Sequence, residues 1–286
     1  MTFGEAYKLL RLSKGFTLKE AAKDIISVSF LSKFERNESE ITVANLLALL
    51  ERLNTSIEEF LAMNEYSMPF KELVSKIKNA FENNNIQMLT KLYNKEIENY
   101  NINNIPFHYY NAVMIKGLIM GIDSTKATLS KEEKNAINDY LFAVEYIGTY
   151  EIALFGNSYR SLEYPMIMSM TKEIARKVNL EQKSEYLQKE YIRILLNTAI
   201  AAFEHQQKND FSEILMILKH SLNEVSFYFE KVKFLYLKGV YELKYGDKHK
   251  GRKLVNDSLN IMELLGDEKM KINHEIYLHE KLNFHL

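Results

Sequence analysis

Residues 17–36 read TLKEAAKDIISVSFLSKFER, two short helical patterns, each opened by a capping residue and joined by a link with room for nothing else. Thr17 and Glu20 have capping-box spacing, in which hydroxyl and carboxylate satisfy two backbone N–H groups that a new helix leaves without partners. Leu18, Ala21, Ala22 and Ile25 then supply the buried face of that helix. Ser27 is placed to cap a second helix, through SVSFLSKFER, with Leu31 and Phe34 pointing inward. Two capped helices of this length with a tight link have the form of a helix-turn-helix unit.

The flanking sequence extends this unit into a small bundle. Upstream, Phe3, Ala6, Tyr7 and Leu10 make an amphipathic stripe that Gly15 ends. Downstream, a helix after Thr42 carries Leu46, Leu47, Leu50 and Leu53. Another opens at Ser56, which has capping-box spacing to Glu59, and buries Ile57, Phe60 and Leu61. Five short helices in residues 1–64 suffice for a self-contained domain. Charge is segregated within it: Met1 to Arg36 holds 7 Lys/Arg against 4 Asp/Glu, and Asn37 to Asn64 holds 1 against 5. The polar, proline-containing stretch NEYSMP (64–69) breaks the periodicity, which places a linker at 65–69 and a second domain at 70–286.

From Phe70 onward the pattern predicts eight to ten longer helices with polar turns such as ENNN (82–85) and KND (208–210). With only 10 Gly and 3 Pro in 286 residues, the fold class is all-α. LKGVYELKYGD (237–247) is weakly similar to IKGLIMGID (115–123) and looks like the junction of a tetratricopeptide repeat. There Gly239 lets two helices approach, Tyr241 fills the groove and Gly-Asp makes the turn. Stacked helix pairs form an α-solenoid with a concave face suited to an extended peptide or protein segment.

Several function classes are disfavoured. A formal net charge of -1 carries no overall nucleic-acid signature, so the basic first 36 residues matter by position. The absence of Cys removes disulfides and thiolate chemistry and fits the cytoplasm. The start MTFGEAYKLL lacks an apolar signal core and no stretch is long enough to span a membrane. No glycine-rich phosphate loop occurs, no spacing singles out a catalytic constellation, and no cofactor is expected. The seven His (108, 205, 220, 249, 274, 279, 285) make no HExxH pair, so a metal site is not expected; a pH-sensing role is a minor reading.

The third helix would present Val28, Ser29, Phe30, Ser32 and Lys33 to the major groove of double-stranded DNA, Ser and Lys toward base edges or phosphates and Phe toward a thymine methyl. Thr17, Arg11, Lys14 and Arg36 flank this surface and suit phosphate contacts. The competing reading is a bundle that serves only protein interaction.

SFLSKFERNESEI (29–41) and LNTSIEEFL (53–61) resemble the helix-turn-helix domain of the lambda-repressor-like (XRE) superfamily. With the long helical tail, the whole chain resembles the Rgg/GadR/MutR regulators. The resemblance implies a homodimeric transcription regulator, not an enzyme, whose repeat domain binds a short hydrophobic signalling peptide. It places recognition-helix serines at Ser29 and Ser32 and a basic reader at Lys33, while Phe30 departs from the usual Gln. It also matches Glu35 to an acidic residue that pairs with a helix-one arginine, here Arg11, leaving Arg11 either structural or phosphate-binding. In EIALFGNSYR and ILLNTAI it assigns Arg160 and Asn197 to the peptide, an Asn being able to satisfy backbone donor and acceptor together. Tyr191, Tyr228 and Phe229 are candidates to line pockets for apolar peptide residues. The helix Lys271 to Phe284, through Ile272, Ile276, Leu278 and Leu282, is a candidate dimer surface. Alternatives are a protein-interaction adaptor, or a regulator that senses a small molecule or pH.

Overall fold

The computed structural model describes residues 1–63, 69–178, 184–223 and 225–282, apart from the side chain of Arg160. Among these residues there are sixteen α-helices, one 3-10 turn and no strand. The chain divides into two compact units, Met1–Lys76 and Ile77–Leu286. The expected linker at 65–69 lies outside the described residues except for Pro69, which opens a helix.

The first unit holds α1 (Phe3–Ser13), α2 (Leu18–Ala22), α3 (Val28–Glu35), α4 (Val43–Arg52) and α5 (Ile57–Met63). Thr2 with Glu5 and Thr17 with Glu20 form complete capping boxes. Ser27, Thr42 and Ser56 accept from the N–H groups of Phe30, Asn45 and Glu59 at 3.1, 3.2 and 3.1 Å. Each such cap contributes about 1 kcal/mol, a large share of what helices this short can gain locally. Asp24, Asn37 and Asn54 adopt positive φ between helices, a conformation that Asn and Asp tolerate better than other side chains. Ala6, Tyr7, Leu10, Leu31, Phe34, Leu49 and Phe60 meet in one core.

On α4 the structure differs from the sequence reading: Leu49 is buried and Leu47 is exposed. Leu46, Leu49, Leu50 and Leu53 complete the i, i+3, i+4, i+7 stripe, and Leu47 falls on the opposite side. Phe3 sits at the rim, its ring 5.7 Å from that of Phe60.

Arg11 is only 5 % exposed and ties α1 to α3. Its Nε and Nη2 donate to Glu35 Oε1 and Oε2 at 2.6 and 2.8 Å, and its Nη1 donates to the Phe16 carbonyl at 2.6 Å. This fork-to-fork pairing leaves no face of the guanidinium for a phosphate, so the phosphate-binding reading of Arg11 is corrected to a structural one. Arg11→Met strands the Glu35 carboxylate in the core and should cost about 3–5 kcal/mol, whereas Arg11→Met with Glu35→Leu should cost much less. Hydrogen exchange of α1 and α3 amides in the full chain measures both variants.

In the rest of the chain, α6 (Pro69–Glu82), α7 (Ile86–Asn103), α8 (Pro106–Ile122), α9 (Lys131–Ala143) and α10 (Thr149–Ser158) are followed by a 3-10 turn, Tyr159–Ser161. Then come α11 (Tyr164–Lys177), α12 (Glu185–Glu204), α13 (Lys208–Ser221), α14 (Tyr228–Tyr245), α15 (Lys248–Leu264) and α16 (Glu268–Leu282). Eleven helices exceed the expected eight to ten, because α9 and α10 are separated by a turn with only Gly148 to mark it. KND does not form a turn: Gln206 takes positive φ and Lys208 begins α13, with Asp210 in its first turn, where the helix dipole favours an acid.

In the second unit α8, α10, α12 and α14 pack in order as one layer, with α9 against α11 in another, the arrangement of an α-solenoid built from helix pairs. α8 is apolar on several faces and buried from Asn111 to Ile115. The crossing of α14 and α15 is close. A Cβ on Gly239 would lie 2.7 Å from Val255 Cγ2, and one on Gly251 would lie 2.7 Å from the Leu243 backbone nitrogen. Gly117, the counterpart of Gly239 in the weak internal repeat, is closer still to its neighbour, with a Cβ there 2.5 Å from Ser161 Oγ. Gly251→Ala should therefore destabilise the second unit by about 1–3 kcal/mol despite the better helix propensity of Ala. Urea denaturation followed by far-UV circular dichroism checks the sign.

Candidate functional site

Two places hold some of the residues singled out in the sequence, one in each unit. In the first, Val28, Ser29 and Lys33 are exposed along α3 and Phe30 and Ser32 are half-buried, while Leu31, Phe34 and Glu35 face the core. The Ser29 and Ser27 hydroxyls are 3.1 Å apart, so Ser29 is tied to the cap of its own helix. Arg36 donates twice to Glu38 at 2.8 Å and once to Ser32 Oγ at 3.0 Å, on the surface. Lys33 forms no ion pair with any described residue. α3 thus carries hydroxyls, an unpaired ammonium and apolar carbon along one outward strip, the donor and contact set that base edges and phosphates take.

The flanking positions divide. Thr17 is exposed but donates its hydroxyl to Glu20 at 2.6 Å as part of the cap. Lys14 is directed elsewhere: its ammonium donates to the Leu53 and Asn54 carbonyls at 2.6 and 3.2 Å and to Thr55 Oγ1 at 2.9 Å. All three donors serve the C-terminal end of α4, where a cation is favoured by the helix dipole. Its expected phosphate contact is corrected to a tie between α1 and the end of α4.

In the second unit a cleft of about 260 Å³ opens between α12, α14 and α16. Leu196, Asn197 and Ile200 come from the first of these helices, Lys233, Tyr236 and Leu237 from the second, and Asn273, His274 and Tyr277 from the third. The Tyr236 hydroxyl donates to the His274 carbonyl at 2.8 Å, and the two rings meet edge to face at 4.5 Å. His274 Nδ1 lies 2.8 Å from the Met270 carbonyl and so carries the proton. Burial holds this imidazole below its ordinary range, which keeps it neutral near pH 7. Burial also pushes the Lys233 ammonium down, with Arg193 adding to the effect and Glu230 and Asp267 opposing it.

Of the expected peptide contacts, Asn197 lines this cleft. Tyr191 does not: it is 3 % exposed in the core of α12, and burial alone pushes its phenol up to about 12. Its expected pocket-lining role is corrected to packing, because it falls on the inward stripe with Leu187, Ile194 and Leu195. Tyr228 and Phe229 are exposed at the start of α14, outside the cleft, although Lys233 Nζ stands 4.5 Å above the Phe229 ring. The side chain of Arg160 lies outside the described residues. On the candidate dimer helix Ile272 and Ile276 are exposed, but Leu278 is fully buried, which corrects its assignment to an outward surface. Among the described residues no three His, Asp or Glu side chains stand together as a metal site would require.

The sequence reading missed Lys233, Tyr236, Asn273 and Tyr277. A signal existed: Asn197, Lys233 and Asn273 are separated by about 36 and 40 positions, near the period of a helix-pair repeat, so equivalent places on successive repeats converge.

Comparisons with known proteins bear on the family and the fold. The family described as "HTH-type transcriptional regulator Rgg, C-terminal domain" matches residues 86–276, and a helix-turn-helix family matches residues 8–60. The chain is similar to the SHP pheromone receptor Rgg2 of Streptococcus dysgalactiae, with 28 % identity, a TM-score of 0.86, and coverage of 98 % of this chain and 100 % of that one. A Listeria monocytogenes transcriptional regulator is 20 % identical, with a TM-score of 0.87 over 98 % of this chain and 97 % of its own. PrgX in its complex with cCF10 is 14 % identical, with a TM-score of 0.78 over 98 % and 99 %. These last two likenesses concern the fold. Among the described residues no helix is long and apolar enough to cross a membrane. With its C-terminal two thirds matching one family and an N-terminal helix-turn-helix preceding it, the chain belongs to the Rgg family of HTH-type transcriptional regulators, proteins that regulate transcription rather than catalyse a reaction.

Proposed function

We propose that this protein is a cytoplasmic, homodimeric, sequence-specific DNA-binding regulator whose repeat domain binds a short hydrophobic peptide. The domain assignment is 1–64 for DNA and 70–286 for peptide and dimer formation. The observation that carries the reading is the pairing, in one chain, of an outward α3 strip with an unpaired Lys33 and a separate cleft in which Asn197 forms no hydrogen bond with any described residue. The likeness to a protein described as a pheromone receptor supports the peptide.

On DNA, Ser29, Ser32 and Lys33 read base edges, Val28 and Phe30 supply apolar contact, and Thr17 and Arg36 meet phosphates. Arg36 must exchange Glu38 for phosphate, which moderates its contribution. Arg160, Tyr228 and Phe229 remain candidate peptide contacts beside Asn197. One short helix reads only a half-site, so a dimer is needed, and exposed Ile272 and Ile276 on α16 offer it an apolar surface. The peptide acts by favouring one arrangement of the dimer, since equal affinity for both would shift nothing.

Two measurements test this. In gel shifts at one fixed ionic strength, Lys33→Ala should weaken operator binding roughly tenfold, as loss of about 1–3 kcal/mol of base contact requires, while Glu38→Ala should strengthen binding to any sequence by freeing Arg36. Unchanged affinity for Lys33→Ala would remove it from the reading face. With fluorescent synthetic apolar peptides, Asn197→Ala should weaken binding about tenfold. A wild-type protein that binds no peptide but captures a protein segment would favour an adaptor instead.

A further inference from the structure

Lys233 carries the one ammonium group among the residues that line the cleft between α12, α14 and α16. Burial disfavours the charged form of His274, and the remaining lining groups are amides, phenols and hydrocarbon. Lys233 is half-buried and has no carboxylate within 4.0 Å among the described residues. Arg193 differs: it donates to Glu190 at 2.5 Å and to the fully buried Glu230 at 3.2 Å. The fold therefore gives Arg193 a carboxylate within hydrogen-bond reach, while Glu230 and Asp267 attract Lys233 only from beyond 4.0 Å. Lys233 has instead the face of Phe229 at 4.5 Å, which steadies an ammonium without neutralising it. A cation taken partly out of water with no anion in direct contact is costly, and part of the cost is recovered when an anion reaches it.

We propose that Lys233 is the anchor for a carboxylate of the bound peptide, either its C-terminus or an acidic side chain. This rests on the peptide-receptor reading and specifies the group that fixes the register of the peptide. The cleft suits that role: the walls from Leu196, Ile200 and Leu237 take hydrocarbon, while Asn197 and Asn273 offer amides that pair with peptide backbone on either side of the charge. A free carboxylate meeting a desolvated ammonium forms a stronger bond than the same contact on an open surface. The volume of about 260 Å³ holds only one or two residues, so the remainder of the peptide extends along the neighbouring helices.

The experiment uses the full-length protein and three pools of N-acetylated octapeptides built from Leu, Ile, Val and Gly. One pool ends in the free acid, a second in the amide, and a third in the amide with a single Asp. Retention is measured on wild type, Lys233→Met and Lys233→Arg. Wild type should retain the acid pool, the Asp pool or both at least tenfold above the amide pool, Lys233→Met should lose that preference, and Lys233→Arg should keep most of it. Preference for the acid pool identifies the C-terminus, and preference for the Asp pool identifies a side chain. Equal retention of all three pools by wild type and Lys233→Met overturns the anchor and leaves the peptide receptor intact.

A second measurement separates the two readings. With ¹³C-methylated lysines, N-acetyl-leucine should move the Lys233 resonance, assigned by its loss in Lys233→Met, and N-acetyl-leucinamide should not. A shift with N-acetyl-leucine when no pool is retained keeps the carboxylate site and removes the peptide. No shift and no retention removes both.

Discussion

None of these helices can bury its apolar face alone, and the whole structure follows from how closely neighbours can be brought. Where two backbones must nearly touch, only a missing Cβ allows it. Gly4 lies against the Phe34 carbonyl in the first unit, and Gly239 and Gly251 meet across the α14–α15 crossing in the second. Close approach brings side chains from separate helices into one core, and that burial supplies most of the stabilisation that short helices lack by themselves. Caps and polar turns then set where each helix begins.

Charge is handled differently at the two places that matter. In the first unit Arg11 and Glu35 are buried together with complementary geometry, so their mutual attraction offsets lost hydration and holds α1 against α3. Arg11 ties α1 to α3 and Lys14 ties α1 to the end of α4, while Lys33 forms no ion pair with any described residue. A recognition element benefits from that division, since a stiff scaffold presents its side chains with less ordering cost. In the second unit the reverse holds at Lys233, where burial is incomplete and, among the described residues, a ring face rather than a carboxylate lies in contact with the ammonium.

The positions that the sequence reading misassigned share a cause. Lys14, Tyr191 and Leu278, like Arg11, whose two readings the sequence left open, belong to residue types that serve surface, site or core equally well. Which role each plays depends on what the other helices place opposite it. For Arg11 that is Glu35 and the Phe16 carbonyl, for Lys14 the end of α4, and for Tyr191 the inward stripe of its own helix. Leu47 and Leu49 show a milder form, a run of leucines in which periodicity admits two phases and only the packed core chooses one.

By itself the sequence determined the helical class, the five-helix N-terminal bundle with its capping residues, and the strip from Val28 to Lys33. These depend on contacts within a few residues, namely 3.6-residue periodicity and side-chain caps on backbone N–H groups, which local order encodes. Only the tertiary structure decided that Asn197, Lys233 and Asn273 share a cleft. It also decided which cations are paired and which glycines lie at crossings. Those facts require helices distant in the chain to meet, and distance along the chain carries no record of which side chains end up within bonding reach.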